Sequence, residues 1–386
     1  MKKYITNGTV LTPNERIENS VLTIEDGIIR EILPANEIDL TEENCIDAQG
    51  FYICPGFIDI HCHGAMNKDT MDADVVSLQI MSEFCAGHGV TAFYPTTWSS
   101  FPADILEAIK CVEQNKEKVN GAQIEGVHVE GPYLDMKYRG AQLPRMVRKP
   151  DRNEFEAWFE TGIIKIISCA PELEASDELI KSAVENGIRI SIGHSQATYE
   201  QVFAAADLGA TQATHLFNGM AGLHHRDPGT VGGILDDDRI FAQVICDGVH
   251  LHPAVVRLIH RTKSISKMIL ITDSIRGAGL PDGDYLQKGQ KIIIRAGIAR
   301  TPEGGLSGST LTMDQALRNL IAFTGVSIED ALSTVTLVPA IEMGISDKKG
   351  KISVGYDADL VILDKNLNVA ETLVKGRIVY TREKNG

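Results

Sequence analysis

Eight short β-rich runs follow one another through the middle of the chain, with helical periodicity between most of them. They cover residues 57–61, 91–97, 124–130, 164–170, 188–194, 210–216, 241–247 and 268–272. Apolar spacing of helical type marks 103–113, 177–186 and 199–206 among the intervening segments. Strands that alternate with helices form parallel sheets through right-handed crossovers. Eight such units in about 220 residues predict a (β/α)8 TIM-type barrel, whose usual size is roughly 250 residues. A doubly wound open sheet is the competing arrangement, but no G-x-G-x-x-G turn follows an early strand. Two further apolar-periodic segments, 313–323 and 327–334, read as helices that complete the outer ring.

Both ends of the chain have a different texture. Residues 4–11, 20–24 and 27–33, and then 355–363, 368–374 and 377–380, are short β-rich runs separated by Asn-Gly, Asp-Gly, Pro or Lys-Gly. Neither end can bury a core alone. The expected solution joins residues 1–54 and 346–386 as one small β-sandwich domain, with the barrel, 55–345, inserted between them.

A barrel of this kind carries its chemistry at the C-terminal ends of its strands. Here those ends read His61 and His63, Glu130, His194, His215, His250 and Asp273. Five of the eleven histidines fall at such positions, and that clustering points to a metal more strongly than any one of them. In the segment Cys-Pro-Gly-Phe-Ile-Asp-Ile-His-Cys-His-Gly, alternate strand residues share a face, so Asp59, His61 and His63 project together and Cys62 faces away. Neutral imidazole is a common ligand of divalent metals. The bland alternative is a strand end with two solvated histidines.

Glu130 lies in Val-His-Val-Glu-Gly-Pro. A carboxylate at a barrel mouth is costly to desolvate unless it binds a cation or is well paired. A salt bridge to a loop arginine is the competing role. With His194 and His215, Glu130 makes a three-ligand site that leaves a position for water, the pattern of catalytic zinc. A cation there lowers the pKa of water to about 7. His61 and His63 supply a second position that shares Glu130. His128, two residues deeper than Glu130, reads as a hydrogen-bonded core histidine. Asp273 suits a group that takes a proton from water and passes it to a leaving amine, against the alternative of a helix N-cap. His250 reads as the group that polarises or orients a scissile carbonyl, and His252, next to Pro253, as a loop or N-cap residue.

Composition narrows the partners. With 37 basic and 52 acidic residues the formal charge is −15, which argues against nucleic acid or an anionic membrane but leaves room for a small anionic substrate. The seven cysteines are scattered and never spaced C-x-x-C, as expected in a reducing cytoplasm. The opening residues lack the apolar run of a signal peptide, and no stretch is long enough to span a bilayer. The expectation is a cytoplasmic protein. Arg226, in His-His-Arg-Asp-Pro-Gly, is a candidate phosphate clamp. Arg139 to Gln142, Asn218-Gly219 and Leu306 to Ser309 offer backbone N–H groups, small residues and hydroxyls to a sugar, although each is a common surface pattern taken singly.

The segments PGFIDIHCHG, GVHVEGPYLD, ISIGHSQAT, ATHLFNGM, HRDPG, DGVHLHP, ITDSIRGAGLPDGDY, GLSGSTLTMDQALRN and GYDADLVILD occur in one order over most of the chain. With them the chain resembles the N-acetylglucosamine-6-phosphate deacetylases of the amidohydrolase superfamily. The resemblance implies hydrolysis of the acetamido group of a 2-acetamido hexose 6-phosphate to acetate and the amino sugar phosphate. It implies a divalent metal, zinc first and iron or manganese as alternatives, with one or two ions per chain. Glu130, His194 and His215 would hold the main ion and His61 and His63 a second. Asp273 would be base and then acid, and His250 would contact the carbonyl. Ala141, Gln142, Asn218, Gly219, Arg226, Leu306, Ser307 and Gly308 would contact the substrate. The family arginine matching Arg226 reaches a neighbouring subunit's site, which implies a homodimer. Two departures stand out: Gly64-Ala65-Met66-Asn67-Lys68-Asp69 replaces a glycine-rich stretch of many relatives, and Gln142 stands where some have histidine. Three other readings compete: the galactosamine epimer as substrate, a cyclic-amide hydrolase, and a non-enzymatic scaffold. The second usually bridges its metals with a carboxylated lysine that the fourth run, ending Ser-Cys-Ala-Pro-Glu, lacks.

Overall fold

The computed structural model describes residues 2–12, 15–35, 44–287 and 289–383; of the expected small domain, 1, 13–14, 36–43 and 384–386 lie outside the described residues. Strands β1 (Lys2–Leu11), β2 (Arg16–Glu25) and β3 (Ile28–Pro34) form an antiparallel meander, and β4 (Cys45–Asp47) and β5 (Tyr52–Pro55) both lie parallel to β1. The β2–β3 turn is Asp26-Gly27, with φ of 53° and 78°. Positive φ at both turn residues matches the right-handed twist of a hairpin, and Asp-Gly tolerates it.

The barrel begins at β6 (Phe57–Cys62) and a two-residue hairpin, β7 (Gly64–Ala65) and β8 (Lys68–Asp69). It continues through α1 (Val75–Gly87), β9 (Val90–Thr97), α2 (Pro102–Asn115), the short β10 (Gln123–Ile124), β11 (Val127–Glu130), α3 (Arg152–Phe159), β12 (Ile164–Cys169) and α4 (Ser176–Glu185). Then follow β13 (Arg189–Ile192), α5 (Tyr199–Asp207), β14 (Ala210–Ala213), α6 (Gly229–Asp236), β15 (Phe241–Ile245), α7 (Pro253–Lys263) and β16 (Met268–Ile271). Neighbouring strands pair in parallel in the order β6-β9-β11-β12-β13-β14-β15-β16. The ring closes where Asp273 N–H donates to His61 O at 2.9 Å and Cys62 bridges to Ser274. The fold is a (β/α)8 barrel.

The expected strands and the observed ones differ where the site is built. Runs 188–194 and 210–216 stop early, at Ile192 and Ala213. His194 and His215 have φ of 48° and 32°, and Asp273, after β16, has 48°. A left-handed residue cannot continue a ladder, and each such position costs on the order of 1–3 kcal/mol. The chain therefore turns sharply at the strand ends that carry His194, His215 and Asp273. Run 124–130 is interrupted at Glu125-Gly126, leaving β10 and β11 as separate pieces.

A three-stranded antiparallel sheet, β17 (Gly283–Gln287), β18 (Gln290–Arg295) and β19 (Ile298–Arg300), follows the eighth barrel strand. It was not anticipated, because its strands are too short and charged to stand out among Gly and Asp. Ile292, Ile294 and Ala299 pack with Ile275 against Trp98 at the barrel mouth. Helices α8 (Met313–Thr324), α9 (Ile328–Ser333) and α10 (Leu337–Glu342) complete the ring.

The tail supplies β20 (Leu360–Leu363), β21 (Val369–Val374) and β22 (Arg377–Thr381). β20 pairs antiparallel with β5, so both chain ends share one sheet, ordered β22-β21-β20-β5-β1-β2-β3 with β4 on β1. Alternate residues of β20 face opposite ways. Leu360 and Ile362 enter the small domain's core with Ile5, Leu22, Ile53 and Leu373, while Val361 and Leu363 join the barrel's core. That double burial explains why Leu-Val-Ile-Leu is apolar throughout.

Candidate active site

At the C-terminal mouth of the barrel, four imidazoles and two carboxylates converge. Glu130 Oε1 lies 3.2 Å from His194 Nε2 and 3.0 Å from His215 Nε2, and those two nitrogens are 3.2 Å apart. Beside them, His61 Nε2 and His63 Nε2 are 3.2 Å apart, and each lies 3.3 Å from Asp273 Oδ1. Glu130 joins the groups: its Oε1 is 3.5 Å from His61 Nε2 and its Oε2 is 3.4 Å from His63 Nε2. Glu130 thus meets imidazoles in place of the loop arginine that a purely structural role needs.

The other ring nitrogen of each histidine decides what these contacts mean. His194 Nδ1 is 2.8 Å from Tyr138 O, His215 Nδ1 3.1 Å from Asn218 O, and His63 Nδ1 3.2 Å from Thr96 O. His61 Nδ1 is 3.1 Å from Gln243 Oε1. All four partners are acceptors, so the proton of each neutral imidazole belongs on Nδ1 and a lone pair on Nε2. Four lone pairs and two carboxylates pointed at one another repel unless a cation lies among them. Tetrahedral bonds of about 2.0–2.1 Å would set ligand atoms about 3.3 Å apart, close to the separations above. Two groups fit a metal, Glu130 with His194 and His215, and Asp273 with His61 and His63.

The charges respond accordingly. Burial works against ionised Glu130, but His194 and His215 hold its carboxyl well below the usual range. Burial likewise opposes Asp273, which His61 and His63 pull down. Burial lowers His61 to about 4 against the pull of Asp273 and Glu130. His63 is also penalised by burial, yet Asp273 and Glu130 push it up to about 10.

A cavity of about 150 Å³ opens above the cluster, lined by Trp98, Gly140, Ala141, Gln142, Asn218, Gly219, His250, Leu306 and Gly308 together with Glu130, His194, His215 and Asp273. His61 and His63 are fully buried beneath it. Of the expected substrate residues, Ser307 is buried beside the cavity without lining it, its N–H donating to Ala299 O. Arg226 lies outside, exposed, with Nη1 2.6 Å from His225 Nε2. Among the described residues, no lysine or arginine lines the cavity.

Residues 52–379 match the amidohydrolase family. The chain belongs to that family. It is 37% identical to an N-acetylglucosamine-6-phosphate deacetylase of Lysinibacillus sphaericus over 377 residues, 97% of each chain. It is 35% identical to an N-acetylgalactosamine-6-phosphate deacetylase of Escherichia coli O157:H7 over 372 residues, 96% of this chain and 97% of that one. Among solved structures, the Pasteurella multocida N-acetylglucosamine-6-phosphate deacetylase superposes with a TM-score of 0.94 at 29% identity, over 99% of this chain and 100% of that one. A mutant of the Mycobacterium smegmatis enzyme in complex with N-acetyl-D-glucosamine-6-phosphate superposes with a TM-score of 0.92 at 29% identity, over 98% and 100%.

Several neighbours refine this amidohydrolase site. Gln142 donates from Nε2 to Glu130 Oε2 at 2.9 Å and accepts from Ser99 N–H at 3.0 Å, so its amide orients the Glu130 carboxylate. Asp247 Oδ2 holds His250 Nδ1 at 2.7 Å, which leaves Nε2 as the free ring nitrogen. His128 is spent on Ile60 O and Ser168 Oγ, and His252 caps α7, both as expected. Asp59 lies off the cluster: its carboxylate accepts from Thr272 and from His61 N–H. Sequence reading missed Trp98, which stacks on His63 with centroids 3.9 Å apart and donates to Asp69. Its place directly after a strand end was the available signal.

Proposed function

We propose that this amidohydrolase removes the acetyl group of N-acetyl-D-glucosamine 6-phosphate, giving glucosamine 6-phosphate and acetate in amino-sugar catabolism. The observation that carries the reading is the convergence of four Nε2 lone pairs on Glu130 and Asp273 at the floor of a sugar-sized cavity. The relatives' substrates supply the sugar. Glu130, His194 and His215 would hold one divalent ion and His61, His63 and Asp273 a second. Zinc comes first, with iron and manganese suited to the same donors. When bound, the cation supplies Lewis acidity and lowers the pKa of water to about 7.

The protein's own groups then divide the work. Asp273, held low by its histidines and open to the cavity, takes the proton of the attacking water and delivers it to the leaving amine. His250, fixed by Asp247, orients and polarises the acetamido carbonyl. Ala141, Gln142, Asn218, Gly219, Leu306 and Gly308 form the walls for the sugar, with Ser307 buried behind them. Phosphate recognition would fall to Arg226 of a second copy: among the described residues no lysine or arginine lines the cavity, and Arg226 is exposed outside its lining. A homodimer follows from that assignment. All seven cysteines are free, and among the described residues no helix is long and apolar enough to cross a membrane; both agree with a cytoplasmic enzyme. The pairing of β5 with β20, directly before β6, supports a division into 1–54 with 346–386 and 55–345.

The galactosamine epimer remains a second reading because one relative, at 35% identity, bears that name. Acetate release from glucosamine and galactosamine derivatives, each with and without 6-phosphate, separates the two. The expected order puts N-acetyl-D-glucosamine 6-phosphate first in kcat/KM, with unphosphorylated sugars far behind. Equal rates on phosphorylated and free sugars would overturn the phosphate assignment.

A further inference from the structure

Beneath the ligand cluster, the barrel interior holds a file of polar side chains that the reaction above does not use. Gln243, on β15, places Oε1 3.1 Å from His61 Nδ1. Its Nε2 donates to Gln212 Oε1, on β14, at 2.9 Å. Gln212 Nε2 donates in turn to Glu342 Oε1 at 3.2 Å and lies 3.5 Å from Met343 Sδ. Glu342 ends α10 at the opposite end of the barrel, where it also accepts from Thr211 Oγ1 and has Arg189 Nε at 3.9 Å. His61, Gln243 and Gln212 are fully buried, and Glu342 is 5% exposed.

The file has one consistent polarity. Glu342 Oε1 accepts two donors, which it does whether or not a proton sits on Oε2. Gln212 must therefore turn its NH2 toward it and its oxygen toward Gln243. Gln243 must then turn its own NH2 down and its oxygen up. That oxygen accepts, so His61 carries its proton on Nδ1 and keeps a lone pair on Nε2. Flipping one member sets oxygen against oxygen or N–H against N–H among fully buried side chains. The other three cluster histidines take main-chain carbonyls as Nδ1 partners, and those come with the fold. Among the cluster histidines, His61 alone depends on a side chain whose own orientation has to be set.

We propose that Gln243, Gln212 and Glu342 are positioning residues that carry orientation from the barrel floor to the mouth, fixing the tautomer of His61 and with it the metal affinity of the His61–His63–Asp273 group. The proposal rests on the reading of His61 as a ligand. It can be tested on the full chain, with ¹⁵N-histidine labelling of metal-free protein and zinc titration by competition with a chelator. Wild type should show His61 protonated on Nδ1. Gln243→Met should give mixed tautomers at His61 and weaken the second zinc equivalent about 10- to 100-fold, as loss of an outer hydrogen-bond partner does, with the first equivalent unchanged. Gln243→Glu should restore both readouts, since one oxygen still accepts from Nδ1 and the other, protonated, donates to Gln212. Gln212→Met, one link removed, should move both in the same direction by less. An unchanged tautomer and unchanged second affinity in Gln243→Met would overturn the file. If wild type takes up only one zinc, the ligand reading of His61 fails, and the tautomer spectra still decide whether the file orients the ring.

Discussion

Glu130, His194 and His215 come from three strands and line the cavity, whereas His61 and His63 come from one strand and lie wholly beneath it. In the first group His194 and His215 are left-handed residues whose Nδ1 atoms are tied to nearby loop carbonyls, while Glu130 ends β11. In the second, His61 lies in β6 and His63 directly follows it, and the Nδ1 partner of His61 belongs to a side-chain file through the barrel. Asp273 belongs to the lower group by its contacts but opens into the cavity. The difference teaches that similar side chains serve two ends: Glu130, His194, His215 and Asp273 border the cavity, whereas His61 and His63 act only from beneath it.

The sharpest way to break this comparison is Asp273→Asn. Turnover should fall on the order of 10²- to 10⁴-fold, with KM changing far less, because the proton carrier goes while the cavity walls stay. Near wild-type kcat would remove Asp273 from the reaction and return it to the lower group alone. A smaller effect is expected when His61 and His63 are both changed to Asn. Bound metal should drop by one equivalent, as counted by elemental analysis, while the circular dichroism spectrum is retained. Unchanged stoichiometry would mean that the lower histidines serve the scaffold.

The mildest test separates metal loss from unfolding by pH. Ligand histidines and carboxylates must be deprotonated to hold a cation, so acidification releases it. Far from the site, burial opposes ionised Asp314, but its hydrogen bond from His88 pulls the carboxyl down to about 2. A folded pKa below the unfolded value of about 3.9 gives stability that is complete above the unfolded pKa and lost as pH falls through about 2. Metal should therefore leave on acidification before the contribution of this ion pair is lost. Coincident loss of metal and of the folded signal on titration from pH 7 to 4 would show that the two are not separable.

Much of this was legible in the residue order. The barrel showed itself because eight apolar runs alternate with helical periods, and the ligands because barrel strands end in His, Glu and Asp. The small domain was visible as matched β-rich ends. Gln243 was not, because a glutamine inside an apolar strand carries no signal until neighbours surround it, and Trp98 offered only its place directly after a strand end. The sheet 283–300 escaped for a related reason: its short strands gain an apolar face only by packing on Trp98.

The sequence by itself determined which atoms could bind a cation and, through strand spacing, that they would gather at one mouth. Only the tertiary structure decided how they divide. Which imidazole meets Glu130 and which meets Asp273, which lines the cavity and which lies beneath, and which ring nitrogen is left free depend on contacts between residues far apart in the chain. His61 and Gln243 are 182 positions apart. Ligand chemistry is a property of a residue, but the direction of a lone pair is a property of its surroundings.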